Sequence, residues 1–252
     1  MRDLIGEEMS RYLSLRELEM IADKVTQKYF QLFQATPGSL FPIDPVLLAE
    51  EIVHLNVRFL PLCSDGSVLG LTAFDDIDLC FPMSDGSYTL QSIRKSDVVI
   101  DTGLQENGVP GRCNFTIAHE TGHQILFQLF PADYGNVCNR KSHIMYRRKK
   151  ESHNWVEWQA DSIASFLMMP RILISESMYR FGLGEKVEML NRVFRPAEYQ
   201  RFCDMATYLG VSKQALSIRL KQLGYLDKDR DYLANPYELL RIYCDDSDLQ
   251  HL

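Results

Sequence analysis

The amino-acid sequence predicts an α+β fold: a small sheet packed on one buried helix, followed by a helical, helix-turn-helix-like module. Three observations lead there. Residues 115–127 are apolar nearly all round, the mark of a buried helix. Short β-rich runs cluster between residues 57 and 101, separated by Asp, Gly and Ser. Ala206, Gly210 and Leu216 then follow at the spacing of two helices joined by a tight turn.

The elements follow in order. Ser14-Leu15-Arg16-Glu17 is a capping box that should open a helix, with Leu18, Ile21, Val25, Tyr29 and Leu32 at helical spacing. Thr36-Pro37-Gly38 should end it. Asp44-Pro45 reads as an N-cap with Pro at the first helical position, starting a second helix to about Leu55. Val57–Leu62, Ser67–Phe74, Ile77–Phe81 and Asp97–Asp101 are strand candidates. The short spacings among the first three favour an antiparallel or mixed sheet. Residues 103–111 read as a loop, and a helix is expected from about Arg112 to Phe130, stopped by Pro131 and the polar residues after it. Residues 131–152 read as a long polar connection, and helical spacing resumes from about His153 to Met169. The expected domains are 1–199, a helical module at 200–226, and an acidic tail at 227–252.

Composition narrows the classes. The chain has 252 residues, 46% of them apolar and 24% charged, which suits a globular protein with a sizeable core. A net charge of −7 argues against a general nucleic-acid coat protein. The longest apolar run falls short of a membrane span, and the start lacks the apolar core of a secretion signal, so a cytoplasmic location is expected. Cysteines at 63, 80, 113, 138, 203 and 244 form no C-x-x-C pair and read as free thiols. Cys113, six residues before His119, reads as a buried small apolar residue.

The buried helix contains His119-Glu120-Thr121-Gly122-His123, an H-E-x-x-H pattern. Residues four apart share one helical face, so both imidazoles can reach one ion. Zinc accepts neutral imidazole, and a site with three protein ligands keeps a position open for water. Glu120, beside the first histidine, can take a proton from that water. Gly122 sits mid-helix, where glycine costs about 1 kcal/mol relative to Ala. A close neighbour over that turn would account for it.

The later helix carries Glu157-Trp158-Gln159-Ala160-Asp161. Glu157 and Asp161 stand one turn apart on one face. Placed opposite the histidines, Glu157 can supply a third, oxygen ligand. Asp161 can accept a hydrogen bond from the far nitrogen of His119 and fix its tautomer. His153 and, more weakly, His143 compete for the third ligand position. Tyr134, His143, Tyr146 and His153 are all candidates to stabilise an oxyanion. Arg140, Lys141, Arg147, Arg148, Lys149 and Lys150 make the 131–152 connection basic, either as a lip near the cleft or as a solvated loop.

Phe115 to His123, then Glu157 to Asp161 leading into Leu167-Met168-Met169-Pro170, resembles the ImmA/IrrE family of zinc metallopeptidases. The resemblance extends from about residue 15 to 226, through Pro42-Ile43-Asp44-Pro45 and the 211–220 stretch. It implies a zincin-like peptidase domain with His119, His123 and Glu157 as zinc ligands and Glu120 as the catalytic acid/base. It also implies a protein substrate, typically a helix-turn-helix repressor whose cleavage releases genes of mobile elements or stress responses. The 202–221 stretch itself could read DNA. Its few cations, set in an acidic chain, favour instead a helical module that packs on the protein or docks a substrate.

Overall fold

The computed structural model describes residues 12–33, 40–83, 85–106, 110–132 and 155–226, and the backbone of 144–148. The chain divides into two compact units, Met1–Pro170 and Arg171–Leu252. Within the first, Ser14 and Glu17 cap reciprocally: the Ser14 N–H donates to Glu17 Oε2 at 2.8 Å and the Glu17 N–H to Ser14 Oγ at 3.3 Å. Two orphan donors are thereby satisfied where α1 (Leu15–Phe33) begins. Its buried stripe, Leu18, Ala22, Thr26 and Tyr29, repeats every three to four residues. The expected stop at Thr36-Pro37-Gly38 lies outside the described residues.

Asp44 Oδ1 accepts from the N–H groups of Val46 at 2.9 Å and Leu47 at 3.2 Å, so α2 (Pro45–Leu47) starts as its residues dictate. The helix then widens: Leu48–Ile52 form a π turn, closed by the Val53 N–H on Leu48 O at 3.2 Å. His54, at φ 60°, turns the chain just short of the expected end at Leu55.

The strands are β1 (Asn56–Leu60), β2 (Val68–Ala73), β3 (Ile77–Pro82), β4 (Tyr88–Ile93), β5 (Asp97–Asp101) and β6 (Ile144–Arg148). One sheet runs β1-β5-β2-β6, with β1 parallel to β5 and β2 antiparallel to both β5 and β6. β3 and β4 form a separate antiparallel pair. The main sheet is mixed, as the short spacings suggested; β5 inserts between β1 and β2, and β3 pairs with β4 outside it. β4 was not among the strand candidates from sequence: its exposed positions include Tyr88 and Leu90 and its inward ones Thr89 and Gln91, so its hydrophobic pattern does not mark the buried face. β6 lies within the stretch read as a loop.

β2 is buried on both faces because both are covered. Leu71 and Ala73 join Phe81 and Ile93 of the β3–β4 pair, and Val99, in one apolar cluster. Gly70 and Thr72 meet α4 (Pro110–Leu129) instead. Gln124 of α4 donates through Nε2 to Thr72 Oγ1 at 2.7 Å, Ala73 O at 2.8 Å and Lys95 O at 3.0 Å. The expected loop at 103–111 contains one helical turn, α3 (Gly103–Glu106), and α4 begins at Pro110, where the missing N–H costs nothing. α5 (Trp155–Met168) crosses α4 at Gly122. A Cβ there would stand 3.2 Å from Ala160 O and 3.3 Å from Ile163 Cγ2, so the mid-helix glycine admits the second helix.

The second unit contains α6 (Arg171–Arg180), α7 (Pro196–Tyr208) and α8 (Lys213–Leu223). Gly210, at φ 64°, turns the chain between α7 and α8. Ser212 Oγ accepts from the Ala215 N–H at 3.1 Å, and Gly224 closes α8 in the left-handed conformation. The boundary expected after residue 199 falls inside α7, and the acidic stretch 227–252 lies outside the described residues. Among the described residues, no helix is long and apolar enough to cross a membrane.

Candidate metal centre

Helical periodicity places His119 and His123 on the same face of α4, both 1% exposed. Their rings meet edge to face, with the Nε2 atoms 3.0 Å apart. From α5, Glu157 brings Oε2 to 3.2 Å from His119 Nε2 and Oε1 to 3.3 Å from His123 Nε2. These ligand-capable atoms lie within 4.8 Å of one another, so the three residues can hold a metal ion.

Tautomers sharpen the point. Asp161 Oδ1 lies 2.8 Å from His119 Nδ1, and an ionised carboxylate only accepts, so Nδ1–H donates. In that tautomer a neutral ring would present a lone pair at Nε2, towards the carboxylate of Glu157 and the second imidazole. Lone pairs converging in this way repel unless a cation or proton lies among them. Tetrahedral zinc ligands at about 2.1 Å stand roughly 3.4 Å from each other, and the spacings of 3.0, 3.2 and 3.3 Å approach that figure. The donor set, two imidazoles and a carboxylate, is one that zinc accepts.

The electrostatics agree. Burial holds the His123 imidazole below its ordinary value, against the opposing hydrogen bond to Glu157, so the ring is neutral as ligation requires. Burial alone would raise the Glu157 carboxyl, but its contacts with His119 and His123 outweigh it and hold the group well below the usual range. Glu157 is therefore an anion at neutral pH, 28% exposed at the mouth of the site.

Glu120, fully buried, points to β2: a Cβ added at Gly70 would stand 2.6 Å from its Oε1. Gly70 was missed among the site residues. A lone glycine inside a strand pattern is the signal that could have found it, since it marks a close backbone approach.

Of the other candidates, His153, His143 and Tyr134 lie outside the described residues, and Tyr146 is placed through the backbone of β6 alone. Cys113 is buried, its thiol pushed up by desolvation, and it is not part of the metal-capable group. That is the behaviour of a small core residue.

Residues 103–221 match the family model for the IrrE N-terminal-like domain, a peptidase family. The match supports an ImmA/IrrE family metallopeptidase. No curated protein matches the chain. The matched segment begins just after β5 and contains all of His119, Glu120, His123, Glu157 and Asp161. The likeness read from sequence reached back to about residue 15, further than the matched segment does. The match to a peptidase family supports proteolytic activity, in accord with a metal-capable cluster that α4 and α5 bring together.

Proposed function

We propose that this chain is a zinc-dependent endopeptidase acting on a cytoplasmic protein, a helix-turn-helix transcriptional repressor being the class that fits best. The observation that carries the reading is the meeting of His119, His123 and Glu157 from two helices, with the Glu120 carboxylate one residue along the same helix. His119, His123 and Glu157 would hold the zinc. When bound, it activates water at neutral pH and polarises the carbonyl to be attacked.

The chain's own groups do the rest. Glu120 receives a proton from the attacking water and returns it to the departing amine. Its burial removes competing bulk water from that carboxylate. Asp161, through His119 Nδ1–H, holds the imidazole in the tautomer that turns its lone pair inward. The Gly70 backbone bounds Glu120 on one side and limits its reorientation.

The helices at 196–223 are read as a packing or substrate-docking module. Arg219, one of the few cations on α8, is 1% exposed and does not reach solvent to meet a phosphate, which weighs against DNA reading. The test incubates the zinc-loaded protein with helix-turn-helix repressors and follows them by mass spectrometry. Glu120→Gln should keep the metal and lose cleavage by about 100-fold or more. Undiminished cleavage by that variant would sink the assignment of Glu120.

A further inference from the structure

We propose that β6 is an internal occupant of the position a substrate strand would take, so that the peptidase is latent until residues 144–148 leave β2. The inference rests on the peptidase reading above.

The geometry starts at Gly70. β2 is the strand whose backbone touches the Glu120 carboxylate, at the site where an added Cβ would stand 2.6 Å from Oε1. A peptide bond that is to exchange a proton with Glu120 must come within about 3 Å of that carboxylate. An extended peptide reaches such a place most simply by pairing with the nearest strand, since main-chain hydrogen bonds need no particular sequence. β2 has two sides. One is taken by β5. The other is taken by β6, antiparallel, with Leu71 opposite Tyr146, Thr72 opposite Met145 and Ala73 opposite Ile144. The register breaks between Val68 and Leu71, the interval that contains Gly70. β6 thus lies along the free side of β2, one strand spacing of about 4.8 Å away, beside the residue that faces Glu120. A substrate cannot pair there while β6 does.

Composition marks β6 as a late addition to the sheet rather than a core strand. The other strands come from residues 56–101, whereas β6 comes from the connection between the two metal-bearing helices. That connection carries Arg140, Lys141, Arg147, Arg148, Lys149 and Lys150 in a chain of net charge −7. Cations at the end of an edge strand favour solvent over burial, and β6, at the edge of the sheet, holds to it through one neighbour alone.

The experiment uses the full zinc-loaded chain and a mixture of random-sequence fluorogenic decapeptides. In one variant residues 144–148 are replaced by Gly-Ser-Gly-Ser-Gly, which keeps the length and removes strand propensity. A second pair, Met145→Pro and Tyr146→Pro, needs no such replacement. Adjacent residues point their N–H groups to opposite sides of a strand, so one of the two prolines removes a hydrogen bond to β2. A synthetic peptide of residues 142–150 is added in trans, with amide exchange of Leu71–Ala73 reporting occupancy of the β2 edge.

The expected result is faster exchange at Leu71–Ala73 and at least about a 10-fold rise in kcat/KM when 144–148 is replaced, the gain from releasing a site filled nine-tenths of the time. The trans peptide should reverse both in the variant and leave the wild type unchanged. Faster exchange with equal or lower kcat/KM, still abolished by Glu120→Gln, overturns the latency and leaves the peptidase reading standing. Complete loss of activity on freeing the edge likewise overturns the latency, since β6 would then support catalysis rather than block it. No cleavage by any form, with zinc bound, overturns the peptidase reading and the latency together.

Discussion

Replacing Gly70 by Ala tests how closely the sheet holds the Glu120 carboxylate. The added Cβ would lie 2.6 Å from Glu120 Oε1, 2.9 Å from Glu120 Cγ and 2.9 Å from Thr116 Cγ2. Ordinary carbon contacts sit at about 3.5–4.0 Å, so all three neighbours must yield, and the carboxylate must shift by on the order of 0.5–1 Å. A displacement of about 1 Å at a reacting group costs about 100-fold in rate. The expected fall in kcat/KM is therefore roughly 10- to 100-fold. Overpacking of a close-packed core costs about 1–3 kcal/mol, which lowers the thermal midpoint by roughly 3–10 °C in a unit of this size. Metal content should hold, because no atom of His119, His123 or Glu157 is among the three nearest to the new methyl group. The assay is steady-state peptide cleavage, metal content and calorimetry on the same preparation. Glu120→Ala removes two of the three clashing atoms, so Gly70→Ala should cost less stability in that background, a non-additivity expected of touching residues. Full kcat/KM with an unchanged midpoint would refute the claim that β2 positions Glu120.

Asp161→Asn keeps the shape but lets the side chain turn an amide to His119 Nδ1, and metal affinity should fall by about 10- to 100-fold in a chelator competition; unaltered affinity would remove Asp161 from the site. Gln124→Leu leaves Thr72 Oγ1, Ala73 O and Lys95 O without their shared donor, and denaturant unfolding should show a loss of about 1–3 kcal/mol. The metal-free protein should lose stability as pH falls below about 6.5. The unfolded His123 protonates there while burial keeps the folded ring neutral to lower pH, so the unfolded state binds more protons. The slope is at most about 1.4 kcal/mol per pH unit for one group. Glu157, held low when folded, adds its own loss only below its unfolded range near about 4.3. A midpoint that stays flat from pH 8 down to 5.5 would contradict the burial of a neutral imidazole at 123.

Local chemistry made much of this protein legible in its sequence. Ser14 with Glu17, Asp44 with Pro45, and Ser212 each fix a helix start through hydrogen bonds that span three residues or fewer, and the structure makes those bonds. The pairing of His119 with His123 and of Glu157 with Asp161 needs only the helical repeat. Gly122 stood out because a mid-helix glycine has a cost and so implies a close neighbour. Everything that depended on which segments meet at long range was decided by the tertiary structure. β5 separates β1 from β2, and β3 leaves the main sheet for β4, because strand partners are chosen by the burial of whole faces rather than by short connections. β6 was hidden in a basic stretch, since an edge strand needs no apolar alternation to pair through its backbone. Gly70 became a site residue only when β2 lay against Glu120, fifty residues further along the chain. Sequence determines what each segment can bind and how it begins and ends. The contact between segments far apart in the chain determines which of those capacities share one site, because only packing sets distances of a few ångströms between them.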